Sequence, residues 1–225
     1  MDILSFELGK KFGGGGQPSP TPSSGYIEEG LICLYDGDTQ EVASNPAVTN
    51  DGKTYRWDRC NSSDGATIEG YITMSGASSN PYSRGFNAGK DGTEFCIGFG
   101  NGGGSSNSDY RFNPMVYWGA GIDYEIYPDG LLYGDKHTFA IVSTPDPEET
   151  AVNTLTFYVD GVQVGDTKTQ SRESQLSLYG VIVEGGTSRP LNGTLHSGRF
   201  YNRALTAAEL AANHANDIAK YGGNS

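Results

Sequence analysis

The segment from Leu191 to Asn213, LNGTLHSGRFYNRALTAAELAAN, constrains the fold more than any other part of this 225-residue chain. Leu191, Leu195, Phe200 and Tyr201 place β-type residues on either side of Gly193 and Gly198, so the first half reads as a strand. Thr206 and Glu209 then stand at capping-box spacing. The threonine hydroxyl takes the backbone N–H at the glutamate, and the glutamate reaches back to the threonine N–H. Leu205 and Leu210 occupy the two positions of a hydrophobic staple. Leu210, His214 and Ile218 share one helical face at i, i+4 spacing, with Ala207 and Ala211 beside them. A strand therefore runs into a short capped helix that lies on the body of a domain. Arg199, Asn202, Arg203 and Glu209 read as links between helix and sheet.

Further strands are expected near 27–35, 67–73, 93–99, 108–118, 122–127, 137–143, 153–160, 162–165, 175–184 and 193–201. Long loops are expected at 36–66, 75–92, 100–107 and 144–152. The sharpest hairpin is Phe157–Val164. Asp160-Gly161 suits a type I′ turn, which needs positive φ at both central residues. Leu155, Phe157 and Val159 alternate against Val162 and Val164, which buries one face. Many short strands joined by glycine-rich turns (33 Gly) fit a single β-sandwich at this length.

Ahead of this domain, at 26–225, lie two shorter segments. Residues 1–12, MDILSFELGKKF, are amphiphilic through Ile3, Leu4, Phe6, Leu8 and Phe12. Residues 13–25, GGGGQPSPTPSSG, form a linker that is flexible in its glycine half and extended in its proline half. Fully stretched, it spans about 45 Å at most. The first segment reads either as a disordered tail or as an anchor that docks on a preformed partner or pairs between subunits. Burial of its apolar side chains offsets only part of the ordering entropy of a dozen residues, so it would not fold alone.

Charge and cysteine usage narrow the setting. With 27 acidic against 15 basic residues, the net charge is −12. Such a chain lacks the clustered Lys and Arg that a phosphate backbone or an anionic membrane requires. Its apolar runs are too short to span a bilayer. Three cysteines, Cys33, Cys60 and Cys96, are an odd number without C-x-x-C spacing, which favours free thiols. No secretory signal is evident, because Met1-Asp2 starts acidic and Gly13 interrupts before an apolar core forms.

Several pieces resemble one family. Gly193-Thr-Leu-x-x-x-Arg199-Phe-Tyr201-Asn202-Arg203-Ala-Leu205-Thr-x-x-Glu209 resembles the closing motif of laminin-G-like domains of the concanavalin A-like lectin/glucanase superfamily. Lys136-His137-Thr-Phe-Ala-Ile-Val142 resembles that family's W-H-x-v-a strand, with Lys136 where Trp is usual. Leu155-Thr-Phe-Tyr158-Val159-Asp160-Gly161 resembles its Y-v-D-G hairpin. Gly30–Asp36 and Trp57-Asp58 resemble its opening strand and W-x-D. The resemblance implies an all-β, two-sheet antiparallel jelly-roll sandwich with a short C-terminal helix. It does not fix an activity, because this fold carries lectins, glycanases and inert modules alike.

Candidate chemistry divides four ways. Gly98-Phe-Gly100-Asn-Gly-Gly103 satisfies G-x-G-x-x-G, but a loop follows where a phosphate-binding helix would be needed. Glucanases of this fold carry an E-x-D-x-E strand. The nearest segment, Gly121-Ile-Asp123-Tyr-Glu125, lacks the first acid, so no catalytic residue is assigned. Asp36, Asp38 and Asp58 gather carboxylates in loops as Ca²⁺ would require, though Asp-Gly is equally a turn pair. No other cofactor is expected. Tyr110, Tyr117, Trp118, Tyr124 and Tyr127 offer faces on which sugar rings stack, while strand alternation alone would send half of them to the core. His137 matches a structural position of the family, His196 reads as strand surface or core, and His214 as the inner face of the helix.

The order of anchor, Gly/Pro linker and one such domain resembles virion-associated proteins of bacterial viruses, such as head fibres, capsid decorations or tail adaptors. That resemblance implies a non-catalytic module on a virion surface, assembled in the bacterial cytoplasm. Its partners would be capsid or tail proteins and further copies of itself, with weak adhesion to cell-surface or mucus glycans. A bacterial lectin and a divergent glycoside hydrolase are the alternatives.

Overall fold

A computed structural model describes residues 25–44, 49–50, 54–62, 65–76, 83–90, 93–100, 111–112, 115–118, 120–123, 126, 131–149, 152–171, 176–184, 186 and 189–224. Among these residues sixteen strands precede one helix: β1 Leu31–Asp36, β2 Glu41–Ser44, β3 Thr49–Asn50, β4 Thr54–Ser62, β5 Ala66–Met74, β6 Ser83–Lys90, β7 Thr93–Gly100, β8 Arg111–Phe112, β9 Met115–Trp118, β10 Ala120–Asp123, β11 Lys136–Pro145, β12 Val152–Val159, β13 Val162–Gln163, β14 Lys168–Ser171, β15 Leu176–Val183, β16 Gly193–Tyr201 and α1 Ala207–Tyr221. One sheet runs β13-β12-β11-β5-β16-β1-β2, with β14 also on β12. The second runs β10-β9-β7-β6-β15-β4-β3, with β8 also on β7. The described pairings are antiparallel. This is the expected two-sheet sandwich.

The core lies between the sheets. Ile68, Ile72, Phe139, Ile141, Leu155, Phe157, Leu195 and Phe200 face it from the first sheet, and Phe86, Ala88, Phe95, Ile97, Phe99, Val181 and Val183 from the second. Phe99 and Phe139 meet edge to face across the gap, with centroids 5.0 Å apart. In β12 Leu155, Phe157 and Val159 are buried while the residues between them are half-exposed, the period-two pattern of a strand with one wet face. β5 and β11 are buried along nearly their whole length because their outer faces carry α1. A second cluster there joins Ala140, Val142 and Tyr201 to Leu205 and Leu210.

The hairpin turn forms as expected. Asp160 has φ 53° and Gly161 φ 76°. Gly161 is required twice over, since a Cβ there would stand 2.8 Å from Ala211 Cα of the helix. Val162 departs from the expected alternation. It is exposed, because β13 is two residues long at the sheet's edge.

The loops expected at 36–66 and 75–92 instead hold β2, β3, β4 and β6. β4 (TYRWDRCNS) and β6 (SRGFNAGK) alternate weakly and carry charges, asparagines and glycines, so local propensity hid strands that sheet pairing stabilises. The strand expected at 122–127 is shifted to 120–123.

The helix begins at Ala207 with Thr206 as its cap, and both bonds of the capping box are present. Its buried stripe, however, is Leu210, Asn213 and Asp217. His214 is half-buried and Ile218 exposed, so the apolar face read from spacing is rotated. Polar partners beneath the helix cause the rotation. Among the described residues no helix is long and apolar enough to cross a membrane.

Candidate functional site

The densest arrangement of ionisable groups among the described residues lies between α1 and the outer face of the first sheet. Arg199 projects from β16 and is fully buried. Its Nε donates to Glu69 Oε2 of β5 at 2.6 Å. Nη1 and Nη2 grip both oxygens of Asp217 on α1 at 2.7 and 2.8 Å, and Nη1 also donates to Ser197 Oγ at 2.9 Å. Asp217 further accepts from Tyr26 Oη, Ser197 Oγ and Thr138 Oγ1 at 2.7–2.9 Å. Asn213 donates to Glu69 Oε2 and Tyr201 Oη at 2.8 and 2.9 Å, and its Oδ1 accepts from Ile27 N–H. The Arg199 guanidinium also lies 4.3 Å from the centre of the Tyr26 ring.

Two carboxyl groups thus share one cation, and they respond differently. Burial pushes Glu69 above the usual carboxylate range despite the Arg199 charge beside it. For Asp217, burial is outweighed by Arg199 and by the hydroxyls of Ser197 and Tyr26, and its carboxyl is held low. Burial pushes Arg199 the other way from its two acids, and the acids win. Tyr201 and Tyr26 are both raised, first by burial. Glu69 Oε1 is buried with no hydrogen-bond partner.

A second group continues from this centre toward the turn. Asp160 accepts from Thr138 N–H at 2.8 Å and pairs with His137 Nδ1 at 2.7 Å. Thr138 Oγ1 gives its only proton to Asp217, so at 2.9 Å it accepts from His214 Nδ1–H. Beside it, Tyr71 packs against His196, His214 and Tyr221 with centroids 5.6–6.3 Å apart. Tyr71 Oη donates to Gly222 O, and burial raises its phenol to about 12. Burial, then the nearby Lys136 charge, lowers His196. Lys136 Nζ donates to Tyr221 O at 2.5 Å and Gly222 O at 3.4 Å, capping the helix C-terminus where the dipole is negative. His214 thus joins the helix to β11, His137 holds the Asp160 turn, and His196 bonds Thr73 Oγ1 at 2.9 Å. The arrangement holds a helix on a sheet, with its central charges closed off from solvent.

The residues singled out from sequence are placed as follows. Asp36 ends β1, and Asp38 follows it in the turn beyond. Asp36 Oδ1 accepts from Asp38 N–H and Tyr221 Oη, both at 3.0 Å, and Oδ2 from Lys220 Nζ at 2.6 Å. Partial burial opposes its ionisation, but these bonds outweigh it and hold the carboxyl low. Asp58 is a β4 residue rather than a loop residue, because β4 pairs with β15 on either side of it, across a register shift. Among the described residues no three His, Cys, Asp or Glu side chains group to hold a metal. Tyr117 and Trp118 are the last two residues of β9, in the second sheet, opposite Gly121 and Ala120 of β10. Asp123 closes β10 opposite Met115. Tyr110, Tyr124, Glu125, Tyr127 and the anchor residues Ile3, Leu4, Phe6, Leu8 and Phe12 lie outside the described residues.

On the second sheet, Asn87 lies between Phe86 and Ala88, and Cys96 between Phe95 and Ile97, all four flanking residues facing the core. The paired Asn87 and Cys96 therefore belong to the outer face. Both are nonetheless shielded from solvent, and Asn87 Oδ1 has no hydrogen-bond partner.

The sequence reading did not find Tyr26, Glu69, Asn213 or Asp217. The signal for the helical pair was their i, i+4 spacing in register with Leu210, which places two polar residues on the inner face.

Residues 43–211 match the Laminin_G_3 family. The chain belongs to the concanavalin A-like lectin/glucanase superfamily. A comparison with curated proteins finds no match. Among solved structures, a sialidase from Trypanosoma rangeli superposes with a TM-score of 0.53 at 13% identity, covering 87% of this chain and 34% of the sialidase. This superfamily member thus spans about a third of that enzyme's length. The fourth domain of an extracellular arabinanase from Geobacillus stearothermophilus, solved with arabinotriose, gives 0.48 at 15% identity, covering 82% of this chain and 98% of that one. The likeness to the sialidase, at that identity, shows the fold and nothing finer.

Proposed function

We propose that this superfamily member is a non-catalytic display module that adheres weakly to glycans, carried on a larger particle by its N-terminal segment. The observation that carries the proposal is the commitment of the described acids and histidines beside α1 to fastening the helix. Most glycosidases use two carboxyl groups flanking the sugar bond. Here Glu69 and Asp217 face one buried arginine. A ligand would meet the second sheet at β9, which includes Tyr117 and Trp118. The particle we assign is a bacterial virion, on the strength of the apolar segment 1–12, the Gly/Pro linker and the acidic sandwich in that order. Its partners are then capsid or tail proteins and further copies of the chain.

Two experiments test this. Deletion of residues 1–12 abolishes co-sedimentation with particles while leaving the domain folded, and unchanged association would sink the virion assignment. A glycan array detects millimolar or tighter binding that Trp118→Ala removes. Turnover of a β-glucan, abolished by Glu125→Gln, would overturn the non-catalytic reading.

A further inference from the structure

The buried centre beneath α1 holds one guanidinium and two carboxyl groups. We infer that Glu69 keeps its proton in the folded domain at neutral pH, so that the centre is an arginine–aspartate ion pair beside a neutral carboxylic acid, and that loss of this proton loosens α1 on the alkaline side.

The geometry carries the argument. Arg199, Glu69 and Asp217 are fully excluded from solvent. With both acids ionised the centre carries a net charge of −1, and a buried charge without a counter-ion is strongly destabilising. Asp217 holds the stronger claim on Arg199, through two parallel bonds to both its oxygens. It also receives three hydroxyl donors. Glu69 has Arg199 Nε and Asn213 Nδ2, both on Oε2, while Oε1 is buried and meets no donor among the described residues. Ionised, Glu69 would leave half its charge on a buried oxygen that no donor among the described residues meets. Neutral, it leaves one ordinary polar group unmet, a much smaller penalty.

Among the described residues, the groups around it supply no second cation. From β16 come Arg199 and Tyr201, from α1 Asp217 and the amide of Asn213, and from the segment before β1 the Tyr26 phenol. β11 contributes the Thr138 hydroxyl, beyond which His214 and Asp160 pair at 3.5 Å. The tyrosines are pushed upward and stay neutral. Glu69 itself is displaced upward, the direction this geometry demands. For a carboxyl raised on folding, the stabilisation is complete below its unfolded value and is lost as pH rises through its folded value. Across that window the folding equilibrium constant falls about tenfold per pH unit for the one proton.

The test is carboxyl-carbon NMR of the full chain with ¹³C-labelled glutamate, with Glu69 assigned by through-bond correlation so that no variant is needed. A Glu69 resonance at the protonated position at pH 7, moving only at higher pH, is expected. An ionised Glu69 at pH 7 would overturn the inference. Chemical denaturation from pH 5 to 9 supplies the second reading. The wild type loses up to tenfold more in its folding constant per pH unit than Glu69→Gln, whose amide keeps an acceptor for Arg199 without titrating. Parallel slopes for the two proteins would also overturn it.

Discussion

Arg199 and Arg203 lie four residues apart, and each reaches an acid on α1. Arg199 is sealed off and shared by two carboxyl groups. Arg203 sits at the surface, where it grips Glu209 at 2.6 and 3.1 Å and donates to Glu29 O at 2.9 Å. About a fifth of the Arg203 side chain and a quarter of the Glu209 side chain stay exposed. The same pairing therefore has two consequences. At the surface water replaces a lost partner, whereas under the helix nothing does.

Removing the buried cation should break the molecule hardest. Arg199→Ala strands Asp217 beside a second acid and is expected to lower unfolding free energy by about 3–5 kcal/mol in a urea titration. Asp217→Asn keeps the shape and leaves Arg199 to Glu69, and about 2–3 kcal/mol should go. Thr206→Ala removes only the cap, for about 1 kcal/mol. Arg203→Ala should cost about 0.5–1 kcal/mol, falling further in 1 M salt, while the Arg199→Ala deficit holds. A salt-sensitive Arg199 deficit would erase the contrast.

Acid sharpens it from the other side. The hydrogen bonds from Arg203 lower Glu209 to about 2. A carboxyl depressed on folding stabilises above its unfolded value, near 4.5, and that contribution fades as pH falls toward 2. The stability gap between wild type and Glu209→Gln, measured at pH 6 and again at pH 2.5, should therefore narrow. Glutamine can still complete the capping box, so the gap reports the charge rather than the cap.

Both arginines read as links between helix and sheet in the sequence, and why the partners of Arg199 escaped follows from range. The Thr206–Glu209 box, the staple leucines and the Asp160-Gly161 turn are local, and spacing alone found them. Arg199's partners come from residues 26, 69 and 217, brought together by strand register and helix docking that no window of sequence contains. That is also why Asn213 and Asp217 displaced His214 and Ile218 from the inner stripe. β4 and β6 escaped for a related reason, since their patterns are weak and their pairing partners distant in sequence. The site residues divide likewise. Asp36 was picked out for a metal because acids and turns look alike in sequence, but its oxygens meet Lys220 and Tyr221 from the far end of the chain.

One attachment has a mechanical side. Three consecutive residues at the domain's threshold are fastened to α1: Gly25 O to Asn216 Nδ2, Tyr26 Oη to Asp217 Oδ1 and Ile27 N–H to Asn213 Oδ1. A pull applied to the chain at Gly25 thus reaches the helix before it reaches β1. From Asp217 the load passes through Arg199 into β16 and through Glu69 into β5, two adjoining strands at the middle of the first sheet. Stress is spread over the sheet's centre instead of peeling an edge strand, and the C-terminal helix works as the cleat for the N-terminal line.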